Sequence, residues 1–251
     1  MNLLVIGGGG REHAIVKKLK ENPAVETIYC APGNGGIAAD AVCVPEIGAK
    51  DISAQVDFAK THSIDFAVVA PDDPLVLGAV DALEAAGIPC FGPEEKAAII
   101  EGSKVFSKDL MKKYGIPTAE YQVFTDAAAA MDYVKSCALP VVVKADGLAL
   151  GKGVLIAETR EDAVAAVESI MLDRAFGDSG NQVVIEEFLT GPEVSVLAFT
   201  DGKTVVPMVS SMDHKRAHDH DEGLNTGGMG TVAPNPYYTE DMARVCMETI
   251  F

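Results

Sequence analysis

The sequence predicts an α/β protein in which an N-terminal domain with a parallel sheet precedes a smaller α+β unit. Three observations support this prediction. Strand-like and helix-like segments alternate from residue 1 to about residue 92, which is typical of a parallel sheet wound by helices. Gly92-Pro93 then interrupts the pattern. Beyond it, a β-branched run ending at Lys144, a glycine-rich loop and a second apolar run indicate an antiparallel hairpin.

Short apolar runs separated by amphipathic segments make up the first domain. Ala14, Ile15 and Leu19, for example, recur at helical spacing after the first glycine cluster. The predicted strands span residues 3–6, 27–30, 66–70 and 89–91, and the predicted helices span residues 12–20, 52–61 and 75–86.

The second unit begins with a predicted helix over residues 95–114, which ends before Gly115-Ile116-Pro117. Thr125 and Thr159 are the expected N-caps of two further helices, and Asp201-Gly202 is a strong hairpin signal. The other predicted elements are strands at 120–124, 182–189, 193–200 and 203–209, the hairpin within 141–157, and a helix after Thr239 with Met242, Val245, Cys246 and Ile250 as apolar positions.

The chain stops at Phe251 inside the periodicity of this last helix, and we interpret this as truncation at the C-terminus; the alternative is a terminal helix docked on the domain. The predicted organisation is a parallel α/β domain over 1–100, a helical linker over 101–117, a small subdomain with the glycine-rich loop over 118–190, and the incomplete start of a second subdomain over 191–251.

Composition disfavours several classes of protein. The formal net charge of −17 over 251 residues argues against a nucleic-acid partner, which would require surplus Lys and Arg. The five cysteines form no Cys-x-x-Cys pair, which is typical of reduced thiols. No signal peptide precedes the first strand and no apolar run reaches membrane-spanning length, so we expect a cytoplasmic protein with no membrane partner. The oligomeric state does not follow from the sequence.

The segment 141–157 carries the clearest binding signal. Glycine backbone beside two lysines offers the N–H groups and point charges that a polyphosphate needs. The segment is not a P-loop, because the spacing from Gly147 to Gly151 is one residue short, Gly153 replaces the Ser or Thr, and a strand follows. The alternative is a flexible hairpin loop with solubilising lysines.

A second glycine cluster, Gly7-Gly8-Gly9-Gly10-Arg11, follows the first strand and opens a helix. It satisfies G-x-G-x-x-G only partly, and the second strand is not followed by an acidic residue for a ribose, so NAD binding is disfavoured. The cluster suits a single phosphate or is merely a tight turn. Asp72 and Asp73 follow another strand at the same sheet edge, where they could bind ribose hydroxyls or an amine, or cap the next helix.

Two later segments, 184–189 and 212–221, carry polar residues that could form part of a ligand-binding site. The strand over 184–189 turns acidic at its end, so it either serves adenine and ribose or is a solvated strand end. The segment 212–221 is dense in His and Asp, but it lacks the spacing of metal ligands. An anion clamp made by Lys215, Arg216 and the glycines after Thr226 fits better, and an exposed disordered loop is the alternative.

Together these residues resemble the phosphoribosylamine–glycine ligase family, or glycinamide ribonucleotide synthetases, of the ATP-grasp superfamily. The matching segments are GGGGREHA at 7–14, PGNGG at 32–36, PDDPLVLGAVDAL at 71–83, FGP at 91–93, EGSKVFSKDLM at 101–111, KADGLALGKGV at 144–154, EEFLTGPE at 186–193, DHKR at 213–216 and NTGGMG at 225–230. The resemblance covers the whole chain and implies a pre-ATP-grasp domain followed by an ATP-grasp domain.

The resemblance implies ligation of glycine to 5-phosphoribosylamine with ATP, through a glycyl phosphate, in purine synthesis. The implied ATP-binding residues are Lys104, Lys144, Asp146, Gly147, Gly151, Lys152, Gly153, Glu186, Glu187, Leu189 and Glu193. The implied substrate-binding residues are Gly9, Gly10, Arg11, Asp72, Asp73, Asp213, Lys215, Arg216, Asn225, Thr226 and Gly227.

The resemblance also implies a divalent cation, Mg²⁺ or Mn²⁺, held by a Glu and an Asn on late strands of the ATP-grasp core. Those ligands are expected beyond Phe251, so the 251 residues alone are expected to bind ligands weakly without turnover. The alternatives are another ATP-grasp carboxylate–amine ligase, a NAD-dependent oxidoreductase and a non-catalytic nucleotide-binding module.

Overall fold

The computed structural model describes residues 1–149 and 153–251. The chain divides into two compact units, Met1–Ser103 and Lys104–Phe251, and each is described by itself. The finer predicted boundaries at 117 and 190 stay predictions.

The first unit is built on a five-stranded sheet in which each paired strand runs parallel to its neighbour. The strands are β1 (Asn2–Gly7), β2 (Thr27–Pro32), β3 (Val42–Cys43), β4 (Phe66–Val69) and β5 (Cys90–Phe91). Their order across the sheet is β3-β2-β1-β4-β5, so β1 lies in the centre. The predicted parallel α/β domain is confirmed, although the sequence did not indicate the two-residue β3.

Both faces of this sheet are buried by helices. The helices are α1 (Gly10–Lys20), α2 (Ile52–Thr61), α3 (Asp72–Val76), α4 (Ala79–Ala85) and α5 (Glu95–Gly102). Along β1, Leu4 and Ile6 belong to one apolar cluster while Leu3 and Val5 belong to another, as alternation along a strand requires. The helix predicted over 75–86 is wrong as one element, because Gly78 takes a left-handed φ of +78° and separates α3 from α4.

The second unit begins with α6 (Lys104–Tyr114) and contains an antiparallel four-stranded sheet. The strands are β6 (Tyr121–Phe124), β7 (Val141–Ala145), β8 (Val154–Ala157) and β9 (Val183–Glu187), in the order β6-β9-β7-β8. Two helices, α7 (Ala127–Val134) and α8 (Arg160–Val167), pack with one face of the sheet in a single buried cluster. The predicted α+β architecture and its hairpin of β7 with β8 are confirmed.

Two predictions of helix ends are corrected here. The helix predicted over 95–114 is two helices, because Ser103 is extended, with φ −140° and ψ 116°. The N-cap of α7 is Asp126 rather than Thr125, since its side chain accepts a hydrogen bond from the backbone N–H of Ala129. The predicted N-cap Thr159 is confirmed at α8.

Residues 191–251 form short strand pairs and a final helix. The strands are β10 (Ala198–Thr200), β11 (Val205–Pro207), β12 (Met212–Asp213), β13 (Arg216–His218), β14 (Glu222–Asn225) and β15 (Thr231–Val232), and α9 (Glu240–Thr249) is capped by Thr239. The pairs are β10 with β11, β12 with β15, and β13 with β14. The sequence indicated only the first pair, with longer strands than the structure has.

No helix in the described part of the chain is long and apolar enough to cross a bilayer.

Candidate functional site

The main candidate site lies on one face of the second unit's sheet, opposite the cluster formed with α7 and α8. Val183 and Ile185 of β9 belong to that cluster, so the intervening residues point to the other face. We call this other face, which carries Val142, Lys144, Val184 and Glu186, the lysine face. Helix α6 contributes to it, because one of its lysines pairs with Glu186.

Three charged side chains meet on the lysine face. The Lys144 ammonium lies 2.7 Å from one carboxylate oxygen of Glu186. The Lys108 ammonium lies 3.3 Å from the other oxygen of the same carboxylate. One buried carboxylate is therefore shared between two cations, and the trio has a net charge of +1 when all three groups are ionised.

Lys108 is held from several directions. It donates hydrogen bonds to the hydroxyl of Thr118 at 2.7 Å and to the backbone carbonyl of Ala119 at 3.2 Å. Its ammonium also lies 5.3 Å from the ring centroid of Tyr121, which pairs directly with Glu186 across β6 and β9. Burial lowers the pKa of Lys108 from its ordinary value, and the nearby Glu186 carboxylate opposes this effect.

Lys104 and the base of the glycine hairpin form a second part of the same site. The Lys104 ammonium donates to the backbone carbonyl of Gly147 at 2.7 Å, and Gly147 has a left-handed φ of +92°. One Asp146 oxygen accepts from the backbone N–H of Val105 at 3.1 Å, and the other accepts from Gln182 at 2.6 Å. Asp146 thus ties the hairpin to the first turn of α6, where a carboxylate also complements the helix dipole.

Gly153 closes the hairpin on its other side. It is buried, and a Cβ there would lie 2.6 Å from the Ala149 methyl group and 3.2 Å from the Ala145 methyl group. A larger residue would therefore displace the start of β8. Two predicted phosphate-binding residues, Gly151 and Lys152, lie outside the described residues.

The acidic end of β9 has its own internal partners. The Glu187 carboxylate accepts from the backbone N–H of Glu120 at 2.9 Å, and Leu189 is exposed. Glu193 forms an exposed ion pair with Lys215. The structure therefore brings Glu193, a predicted ATP-binding residue, together with Lys215, a predicted substrate-binding residue.

The segment from 213 to 228 is a pair of strands closed by backbone and side-chain hydrogen bonds. Thr226 donates its backbone N–H and its hydroxyl to the carbonyl of Lys215, at 2.6 and 2.8 Å, and its hydroxyl accepts from the N–H of Gly228 at 3.0 Å. Arg216 donates to the carbonyl of Gly223 at 2.6 Å. A Cβ on Gly228, which has a φ of +116°, would lie 2.9 Å from the Asp213 carboxylate.

This segment is thus folded, and the sequence alternative of a disordered loop does not apply to its described residues. Gly227 is exposed with open space around its Cβ position. The backbone of Asn225 pairs with Arg216 across β13 and β14.

The first unit has a separate candidate site at the carboxyl ends of β1 and β4. The buried Glu12 accepts a hydrogen bond from the backbone N–H of Gly9 at 2.6 Å, which fixes the start of α1. Gly10 and Arg11 are exposed beside it. Asn34 of the next loop donates to the carbonyl of Gly8 at 2.8 Å, so the glycine loops after β1 and β2 are joined.

Asp72 and Asp73 lie at the neighbouring strand end. A Cβ at Gly7 would come within 2.9 Å of Pro71, so the turn after β1 touches the turn after β4. Asp72 is exposed, and Asp73 forms an ion pair with Lys50 at 2.7 Å. The expected placement of both carboxylates beside the glycine loop, at one sheet edge, agrees with this geometry.

Sequence reasoning missed Lys108. Its signal was its position, four residues after Lys104 on a predicted helix, which places both ammonium groups on the same side of α6. Its partner Glu186 is distant in sequence, so the buried pair itself could be found only in the folded chain.

The described residues also bear on a metal. Among residues 1–149 and 153–251, no group of three or more His, Cys, Asp or Glu side chains is placed to hold a metal ion. No chemical step is assigned to a divalent cation.

Comparisons with known proteins agree with this architecture. The N-domain model of the phosphoribosylglycinamide synthetase family matches residues 1–101, and the model of its ATP-grasp (A) domain matches residues 102–251. A phosphoribosylamine–glycine ligase of Listeria innocua is 51% identical over 250 residues, covering 100% of this chain and 60% of the relative. The Escherichia coli K12 protein of the same name is 50% identical over 251 residues, covering 100% of this chain and 58% of the relative.

A solved structure gives the same result. The crystal structure of phosphoribosylamine–glycine ligase from Thermotoga maritima superposes with a TM-score of 0.83 at 32% sequence identity, over 99% of this chain and 59% of that one. The chain therefore spans about 60% of the length of the curated relatives it matches. Because the two family models together cover it from end to end, this chain belongs to the phosphoribosylglycinamide synthetase family.

Proposed function

We propose that this protein ligates glycine to 5-phosphoribosylamine at the expense of ATP, giving glycinamide ribonucleotide, ADP and phosphate. The observation that carries the proposal is the lysine face, where Lys104 and Lys144 lie at the base of a glycine-rich hairpin in a chain of this family. Cations beside glycine backbone are what a polyphosphate requires.

The proposed reaction requires little acid–base chemistry from side chains. A carboxylate is a poor electrophile, so a glycine oxygen first attacks the γ-phosphorus of ATP, and ADP leaves. The amine of phosphoribosylamine then attacks the carbonyl carbon of the glycyl phosphate, an amide bond forms, inorganic phosphate leaves and the amine loses a proton. Both steps depend mainly on alignment and on neutralising phosphate charge.

The ATP site is proposed on the second unit. Lys104, Lys144 and the 146–153 hairpin would contact the phosphates, while Glu186, with Glu187 and Leu189, would contact adenine, and Glu193 the ribose. Support comes from the position of the two lysines, whose present partners, the Gly147 carbonyl and the Glu186 carboxylate, could be exchanged for phosphate oxygens. ATP is proposed to act with a divalent cation, which would supply further charge neutralisation on the phosphates.

The substrates are proposed to use backbone groups and exposed charges. Phosphoribosylamine would lie at the Gly9–Gly10–Arg11 loop with Asp72 or Asp73 on its hydroxyls or amine. The segments 213–216 and 225–228 would contact the acyl phosphate. Their support is the turn around Thr226, which leaves the adjacent glycine backbone exposed.

The test is phosphate release by the full product of the gene, with ATP, glycine and 5-phosphoribosylamine supplied together and singly. Release that requires all three, with glycinamide ribonucleotide identified by mass, supports the proposal. Release with another carboxylate in place of glycine would instead assign a different ATP-grasp ligase. A protein that binds ATP and releases no phosphate with any carboxylate–amine pair would be a nucleotide-binding module.

A further inference from the structure

The three charges of the lysine face differ in their access to solvent. The side chains of Lys108 and Glu186 are 8% and 6% exposed, whereas that of Lys144 is 25% exposed. The series therefore runs from a buried cation through a buried anion to a partly exposed cation. Of the three, Lys144 has the best access to a ligand arriving from solvent.

A buried carboxylate beside Lys144 poses an electrostatic difficulty for phosphate binding. If Glu186 had no other cation, it would form a neutral pair with Lys144 and would compete with a phosphate for the same ammonium. Charges interact more strongly in a poorly solvated site than in water, so this competition would be severe. Lys108 removes it, because it supplies a second positive charge to the same carboxylate.

Lys108 is fully occupied by the protein. A lysine ammonium has three N–H donors, and three acceptors surround this one: Glu186, the Thr118 hydroxyl and the Ala119 carbonyl. The face of Tyr121 also lies near its charge. These contacts leave no donor for a nucleotide, so Lys108 acts through Glu186.

We infer that Lys108 is a positioning residue that neutralises Glu186 and thereby leaves the charge of Lys144 available to the phosphates of a bound nucleotide. The inference rests on the proposed function, since it assumes that ATP binds at the lysine face. It assigns to Lys108 an effect on phosphate recognition that a purely structural lysine would not have.

The test is calorimetric titration of ATP and of adenosine into the full product of the gene and its variants. Lys108→Met should weaken ATP binding roughly tenfold, since the Glu186 carboxylate would then pair with Lys144 alone and compete with the phosphates, and should change adenosine binding far less. Lys108→Arg should bind ATP within about threefold of the wild type, because it keeps the charge. Lys112→Met, an exposed charge one turn further along α6, is the matched control and should have little effect.

The same substitution made in the Glu186→Gln variant separates the inferred role of Lys108 from a structural role. When Glu186→Gln removes the carboxylate charge, Lys108 has nothing to neutralise, so Lys108→Met should cost about twofold or less in that background. If Lys108→Met alone fails to fold, the double variant Glu186→Gln with Lys108→Met still tests the role, because it leaves neither a buried anion nor a buried cation unpaired, and its ratio of ATP affinity to adenosine affinity should stay near that of the wild type.

The outcomes separate this inference from the proposed function. Equal losses for ATP and adenosine would assign Lys108 to folding alone. Equal losses in both backgrounds would show that its charge acts without Glu186. Either result would overturn the inferred role. If ATP binding falls in Lys144→Met but is unchanged in Lys108→Met, the role of Lys108 is overturned, whereas the ATP site on the lysine face is retained. Binding that neither variant alters would remove ATP from the lysine face, and the inference with it.

Discussion

The two units carry candidate sites of different kinds. In the first unit, glycine backbone at the ends of parallel strands is held by Glu12 and Asn34, and Gly9 and Gly10 are exposed. In the second unit, charged side chains pair across an antiparallel sheet and a helix. A backbone site depends on close approach of loops, whereas a side-chain site depends on charge balance. The two should therefore respond to different substitutions.

The largest expected effect is on the side-chain site. Lys144→Met should lower ATP-dependent phosphate release about 100-fold or more, because a cation that is proposed to contact the transferred phosphoryl group is lost. Steady-state kinetics of the full product of the gene would measure this. Lys203→Met, an exposed lysine in the turn between β10 and β11, is the control and should leave the rate unchanged. Similar rates for the Lys144 variant and wild type would remove Lys144 from the chemistry.

The backbone site should be sensitive to one methyl group. A Cβ at Gly8 would lie 2.7 Å from the carbonyl oxygen of Gly33, so Gly8→Ala must separate the two loops. We expect the KM for phosphoribosylamine to rise about tenfold and stability to fall by about 1–3 kcal/mol, with ATP affinity unaffected.

Gly48→Ala, in the same unit, is the matched control for that experiment. Gly48 is exposed and nothing lies within 4 Å of its Cβ position, so the added methyl group separates no loops. A KM increase as large as that of Gly8→Ala would show that loop separation is not the cause.

A smaller effect concerns the start of α1. Glu12→Gln keeps a hydrogen-bond acceptor for the Gly9 N–H but removes the negative charge at the helix N-terminus. Thermal and denaturant unfolding should show a loss of about 0.5–2 kcal/mol. Unchanged stability would mean that the carboxylate contributes no more than a neutral amide at this position.

The smallest expected effect is a pH dependence at the surface of the first unit. Hydrogen bonds from His13 and Lys20 lower the pKa of Asp40 from its ordinary value. A carboxyl group with a lowered folded-state pKa stabilises the fold above its unfolded pKa, about 3.9, and this contribution is lost as the pH falls through the folded pKa. Asp40→Asn should therefore reduce stability at neutral pH and have less effect in acid. Parallel curves for the variant and wild type would contradict this, and Asp57→Asn is an exposed control.

The sequence predicted the two sheets because their strands are apolar runs bounded by clear breaks. It failed where the end of a helix or the pairing of a short strand depends on contacts with distant parts of the chain. Gly78 and Ser103 interrupt stretches that are helical in pattern, and β12 to β15 are strands of two to four residues whose pairing depends on distant partners.

The residues of the candidate sites also divide into those that local sequence predicts and those that only the folded chain brings together. The glycine loops and Lys144 could be read from the sequence, because glycine spacing and a lysine at a strand end are local features. Lys108 could not be assigned, because its ion pair with Glu186 joins α6 to a strand that is distant in sequence. Charge balance on the lysine face is a property of three segments brought together by folding.

The most direct measurement is a crystal structure of the full product of the gene with a non-hydrolysable ATP analogue. We expect phosphate oxygens within hydrogen-bond distance of Lys144 and Lys104, with Lys108 still paired to Glu186. A nucleotide whose phosphates lie instead at the Gly7–Gly10 loop of the first unit would contradict the assignment of the ATP site to the lysine face.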